Sequence, residues 1–236
     1  MISQSTLNAG VIGLGVGHHH AQAYHDHPRA NLRSVCDFDK HKLLSLCQEY
    51  EGVATYQDGR QILTDKEVDI VSIASYDAFH AQQIIEALNH GKHVIAEKPM
   101  CMSLAELNEV KHALGQNPGL KLSANHVLRT NSRFNRFRKD LHEKKFGDVY
   151  FLEADYLWGR KHKLSGWRGE MPDYSIILGA AIHMIDLVIW LLGARPVEVQ
   201  AMANRVATQK GGFRGESFVV ILLRFEDGAI AKLTGH

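Results

Sequence analysis

Lys98 stands at the end of a short apolar run, Val94-Ile95-Ala96, with Glu97 before it and Pro99 behind it. A run of this kind reads as a buried parallel strand. In open α/β sheets, ligands collect just beyond the carboxyl ends of the strands. A lysine placed there can hydrogen-bond a reacting oxygen and stabilise negative charge developing on it. Lys98 is therefore expected where a nicotinamide cofactor gives or receives a hydride, although Glu97 and Lys98 also fit a solvated ion pair at a strand end.

Gly13, Gly15 and Gly17 form a second group, between a strand-like stretch, 7–12, and a helix-like one, 18–25. Gly13 and Gly15 let the backbone turn tightly and approach a pyrophosphate, and the helix N-terminus beyond offers N–H groups to an anion. The spacing departs from G-x-G-x-x-G, because Gly17 comes one residue early and His18 holds the third place. Alone, the motif fits an ordinary β–α turn equally well. Three consecutive histidines on a helix point in different directions, so of His18, His19 and His20 at most one, taken as His20, faces a ligand. Asp37 ends the next strand, 32–36, where an acid can accept hydrogen bonds from the adenosine ribose and favour NAD over NADP. The alternative is that Asp37 or Asp39 caps the helix from Lys40 to Tyr50. Arg33 precedes the acid and is poorly placed for a 2′-phosphate. His183 and Asp186, three apart on an apolar helical stretch, share a face. A histidine in such a place is more often a satisfied core residue than a catalyst.

These residues need a scaffold. Strands over 69–74, 93–96 and 119–124 alternate with helices over 57–63, 79–90 and 104–114, the last opened by a Ser103/Glu106 capping box. With 119–124 counted as the sixth strand, although only five have assigned residues, strands alternating with helices predict a doubly wound parallel sheet in an α/β protein. The pattern changes after Asn125, giving domains 1–125 and 126–236. The second holds an amphipathic basic helix, 131–145, the apolar helix over 175–192, and strands over 147–158, 197–206, 216–225 and 229–234. It reads as a separate unit of strands and helices, an α+β domain.

The 236 residues are 45% apolar and 22% charged with a formal net charge of +1, so no global field favours nucleic acid or an anionic membrane. No apolar run has the length of a membrane span. Cys36, Cys47 and Cys101 lack metal-ligand spacing and read as buried or partly buried thiols in a reducing, cytoplasmic setting. No metal site is expected.

Ile73–His80 followed by Gly91-Lys92-His93-Val94-Ile95-Ala96-Glu97-Lys98-Pro99 resembles the Gfo/Idh/MocA oxidoreductases. The resemblance covers nearly the whole chain, with Tyr76-Asp77 where many members have Pro-Asn. It implies a Rossmann domain followed by an open antiparallel sheet, and oxidation or reduction of a secondary alcohol or ketone on a sugar, cyclitol or nucleotide-sugar with NAD, less readily NADP. It places Ser75, His80, Glu97 and Lys98 at the cofactor, with a cis Lys98–Pro99 bond. It makes His183 the acid/base partner of Lys98 and Asp186 a substrate contact, and brings Trp167 and Arg168 to the cofactor or substrate, although Trp167 equally fits a core or interface position. The family's D-x-G-x-H-x-x-D signature is kept at His183 and Asp186, but Gly179 stands in place of its first Asp and Ala181 in place of its Gly. A glycine at 179 would leave space for a bulkier substrate or a water. Members usually continue beyond the point where this chain stops, so the second domain is expected to be incomplete, with homo-oligomers forming through its sheet when complete. The loss at 179 keeps a second reading open, a non-catalytic NAD- or sugar-binding regulator on the same fold.

Overall fold

The computed structural model describes residues 6–159, 162, 164, 166–171, 174–211 and 213–236. The chain forms two compact units, one up to Asn125 and one from His126.

The first unit runs β1 (Leu7–Ile12), α1 (Gly17–Asp26), β2 (Ala30–Cys36), α2 (Lys40–Glu49), β3 (Ala54–Tyr56), α3 (Arg60–Leu63), β4 (Ile70–Ile73), α4 (His80–Asn89), β5 (His93–Ala96), α5 (Leu104–Gln116) and β6 (Leu122–Ala124). All six strands are parallel, in the order β3-β2-β1-β4-β5-β6. Winding reverses between β1 and β4, and such reversals leave a crevice beyond the strand ends. Val11, Val71, Ile73, Val94 and Ala96 are buried, as expected of strands covered by helices on both faces. Helix α4 buries Ala81, Ile84, Ala87 and Leu88, and Gly91 follows it with φ +77°. Asp39 caps α2 by accepting from the His41 N–H. Ser103 caps α5, but Glu106 reaches back to the N–H of Met102 rather than of Ser103. Strand β3 has three half-buried residues, too few for a periodic signal, and the sequence reading assigns it no residues. Lys92 is buried, and its ammonium donates to the carbonyls of Asp65 and Val68, tying the start of β5 to the segment before β4. Burial lowers the pKa of that ammonium.

The second unit holds α6 (Ser132–His142), β7 (Phe151–Tyr156), α7 (Trp167–Glu170), a wide π turn over Ile177–Ala181 that leads into α8 (Ile182–Leu192), and β8 (Pro196–Asn204), β9 (Phe218–Phe225) and β10 (Ile230–Gly235). Its sheet has the order β7-β10-β9-β8, antiparallel except between β7 and β10. Met184, Leu187, Val188 and Leu191 of α8 share a core with Ile221, Leu223 and Leu233 of the sheet. Gly193 stops α8 in the left-handed conformation that glycine adopts without strain. Strand β8 is an edge, exposed along its whole length. No helix among the described residues is long and apolar enough to cross a membrane.

Candidate functional site

The winding reversal in the first unit places the loops after β1 and β4 side by side. Gly13 has φ +88°, and a Cβ there would lie 2.5 Å from the Ala74 carbonyl carbon and 2.7 Å from the Ser75 nitrogen. Only glycine fits both the conformation and the contact. A Cβ on Gly15, by contrast, would meet nothing within 4 Å, so the loop is open on that side. Helix α1 begins immediately beyond, and no side chain caps its N-terminus. Gly17 is buried inside α1, where a Cβ would come within 3.1 Å of Ala74 Cβ and of Val11 Cγ1; it serves helix–sheet packing. The tight turn, the open glycine and the uncapped helix end together suit a pyrophosphate.

Asp37 is buried at the end of β2. Its carboxylate accepts from the Leu14 N–H at 2.7 Å and the Asp39 N–H at 2.9 Å, with the Lys42 ammonium at 3.4 Å. The acid thus joins the glycine loop to the start of α2, while Asp39 rather than Asp37 caps the helix. A carboxylate has about four acceptor positions, so capacity remains for a ribose hydroxyl. Phe38 is exposed beside it, edge-on to Tyr76 at 5.4 Å.

His20 turns inward. Its Nε2 donates to Glu97 Oε1 at 3.2 Å, and its Nδ1 lies 3.1 Å from Ser72 Oγ, which in turn is 3.0 Å from the Tyr24 hydroxyl. The side chain of Asn125, just after β6, donates to the same Glu97 oxygen at 2.6 Å. Because a carboxylate only accepts, His20 Nε2 is the donor to Glu97, while Nδ1, the Ser72 hydroxyl and the Tyr24 hydroxyl follow one another within hydrogen-bonding distance. A hydrogen-bonded chain therefore runs from α1 through β4 to the residue before Lys98. Burial alone would raise the Glu97 pKa, but the hydrogen bonds from His20 and Asn125, with the backbone N–H of Lys98, outweigh it and hold the carboxyl below its ordinary range. Sequence reasoning did not pick out Tyr24, Ser72 or Asn125; the one available signal was their position on the inner face of α1 or at a strand end.

His80 is buried, with Nδ1 2.7 Å from the Pro99 carbonyl and Nε2 3.0 Å from the Ser75 carbonyl, and so fastens together the loops after β4 and β5. The Ser75 hydroxyl donates to Gln83 at 2.6 Å. Lys98 itself is half-buried at the end of β5, and the Lys98–Pro99 bond is cis.

In the second unit, His183 is half-buried on the first turn of α8 and stacks on Tyr156 of β7, with ring centroids 5.2 Å apart. Asp186 shares its helix but is held by Arg129, at 2.5 and 2.9 Å, with His126 Nδ1 at 3.6 Å. Its carboxylate is therefore a fixed member of an ion-pair group. Trp167 and Arg168 open α7, and their side chains lie outside the described residues. The space expected at Gly179 is not vacant, because the ring end of Tyr174 fills it. Among the described residues no His/Cys/Asp/Glu group could hold a metal ion.

Residues 7–126 match the family model described as "Oxidoreductase family, NAD-binding Rossmann fold", and residues 134–236 match the Gfo/Idh/MocA C-terminal domain. A 1,5-anhydro-D-fructose reductase of Ensifer adhaerens is 29% identical over 73% of this chain and 51% of its own length. An inositol 2-dehydrogenase of Saccharopolyspora erythraea is 26% identical over 97% of the chain and 66% of its own length. The chain thus spans between half and two thirds of these relatives. The crystal structure of a myo-inositol 2-dehydrogenase from Lactobacillus plantarum shares the fold with a TM-score of 0.89 at 24% identity, over 98% of this chain and 70% of that one.

Proposed function

The chain belongs to the Gfo/Idh/MocA oxidoreductase family, and we propose that it is an NAD-dependent dehydrogenase acting on a secondary alcohol of a sugar, cyclitol or nucleotide-sugar. The observation that carries this reading is the Gly13 loop packed on Ser75 at the winding reversal, with Lys98 ending the strand next to β4. The names of the relatives support the substrate class.

NAD, when bound, supplies the acceptor for the hydride. Gly13, Gly15 and the N-terminus of α1 would hold the pyrophosphate and Asp37 would receive the adenosine ribose, while Gly17 keeps α1 close to the sheet. His80 fastens the loops after β4 and β5, and Ser75 and His80 would line the cofactor's site. His20 and Asn125 hold Glu97, which sets the backbone leading to Lys98. The Lys98 ammonium hydrogen-bonds the reacting oxygen and stabilises its negative charge as the hydroxyl proton leaves. An imidazole nitrogen of His183 takes that proton; in the reverse direction it returns it. Asp186 positions Arg129 and His126 beside α8. Trp167 and Arg168 remain substrate contacts in this reading, and the exposed edge β8 is the surface for assembly with a second copy.

The test is to incubate the protein with NAD and a panel of inositols, sugars and nucleotide-sugars and follow the absorbance of the reduced nicotinamide. Turnover with at least one of them, lost in Lys98→Met while NAD still binds, is the expected result. NAD binding with no turnover across the panel would instead make the protein a non-catalytic binder.

A further inference from the structure

Tyr174 occupies a built seat. Its ring end lies where a side chain at position 179 would begin: a Cβ on Gly179 would stand 2.6 Å from Tyr174 Cζ and closer still to the hydroxyl oxygen. Phe213, itself buried, meets the ring edge-on at 5.7 Å. Gly215 makes room for the backbone, since a Cβ there would fall 2.8 Å from the Tyr174 carbonyl oxygen. Gly179, Phe213 and Gly215 thus accommodate one tyrosine, and the part that requires glycine at 179 is its hydroxyl-bearing end.

Position 179 lies four residues before His183, and residues four apart on a helix share a face. The wide turn over Ile177–Ala181 carries Gly179, and π turns of this kind gather at functional sites. The phenol is therefore presented one turn before the histidine, on the same side of the helix. A phenol both donates and accepts and stays neutral until about pH 10, which suits it to a substrate hydroxyl rather than to a charge.

We infer that Tyr174 is a substrate-recognition residue, its hydroxyl hydrogen-bonding a hydroxyl of the polyol or sugar handled by His183, and that Gly179 is required to seat it. The inference rests on the dehydrogenase reading.

The experiment compares the full chain with Tyr174→Phe and Gly179→Ala, using NAD and whichever of myo-inositol, scyllo-inositol, D-glucose or a UDP-hexose the unmodified protein turns over. Tyr174→Phe keeps the ring and removes only the hydroxyl. It should raise KM for the polyol roughly 3- to 10-fold while leaving KM for NAD unchanged. Gly179→Ala retains the hydroxyl but displaces it, and should show the same split. An unchanged polyol KM in Tyr174→Phe overturns the inference even if Gly179→Ala fails to fold. No turnover of any of the four by the unmodified protein removes the dehydrogenase reading, and this one with it.

Discussion

Glu97 accepts a 2.6 Å hydrogen bond from the Asn125 side chain, which ties the end of β5 to the end of β6 at the residue before Lys98. Asn125→Ala leaves the buried carboxylate short of a donor. The loss is expected to be about 1.5–3 kcal/mol of unfolding free energy, read from urea denaturation at neutral pH.

The same carboxyl has a folded pKa held below its unfolded value. Its contribution is complete above the unfolded value, about 4.3, and is lost as pH falls through the folded one. In Glu97→Gln, stability between pH 5 and 3 should therefore fall less steeply than in the unmodified protein. Parallel slopes in acid titrations followed by circular dichroism would show that Glu97 does not bear this charge.

Asp37→Ala should weaken NAD binding roughly 10- to 100-fold and narrow the gap to NADP. Calorimetric dissociation constants for the two cofactors measure this. A melting curve is run alongside, because the acid also holds the Leu14 and Asp39 N–H groups.

Lys98→Met should lower kcat by roughly 10²–10³ if the ammonium stabilises charge that develops only in the transition state, with the dissociation constant for NAD little altered. A variant that loses NAD affinity but keeps kcat would assign Lys98 to the cofactor alone.

Thiol chemistry separates the cysteines. Burial, with Asp37 and Asp58 nearby, pushes the Cys36 thiol up to about 12, whereas Cys47 is exposed on α2. A disulfide reagent should titrate Cys47 at once in the native protein and Cys36 only after unfolding.

The parallel sheet was legible because its strands are buried on both faces and announce themselves as apolar runs, and because Gly13, Asp37 and Lys98 sit at their ends. Strand β3 was not, since three half-buried residues carry no period. Cys47, read as buried or partly buried, is exposed because the buried contacts of α2 fall on Leu43 and Leu46. The chain from Tyr24 to Glu97 was hidden for another reason. Its members are 48 and 77 residues from their partners in sequence, and only the strand order brings them together. The His20 ring is held between Ser72 and Glu97, an orientation that helix periodicity does not encode. At Gly179 the sequence shows an absent side chain; that Tyr174 fills the gap depends on a contact no local pattern records.

Gly13, packed on Ala74 and Ser75 at φ +88°, gives the loop after β1 its shape through the sheet itself. A loop already shaped has no ordering step to complete after encounter, so the association of reduced cofactor should be a single bimolecular event. In stopped-flow fluorescence the observed rate would rise in proportion to cofactor concentration without a plateau, at about 10⁵–10⁷ M⁻¹s⁻¹.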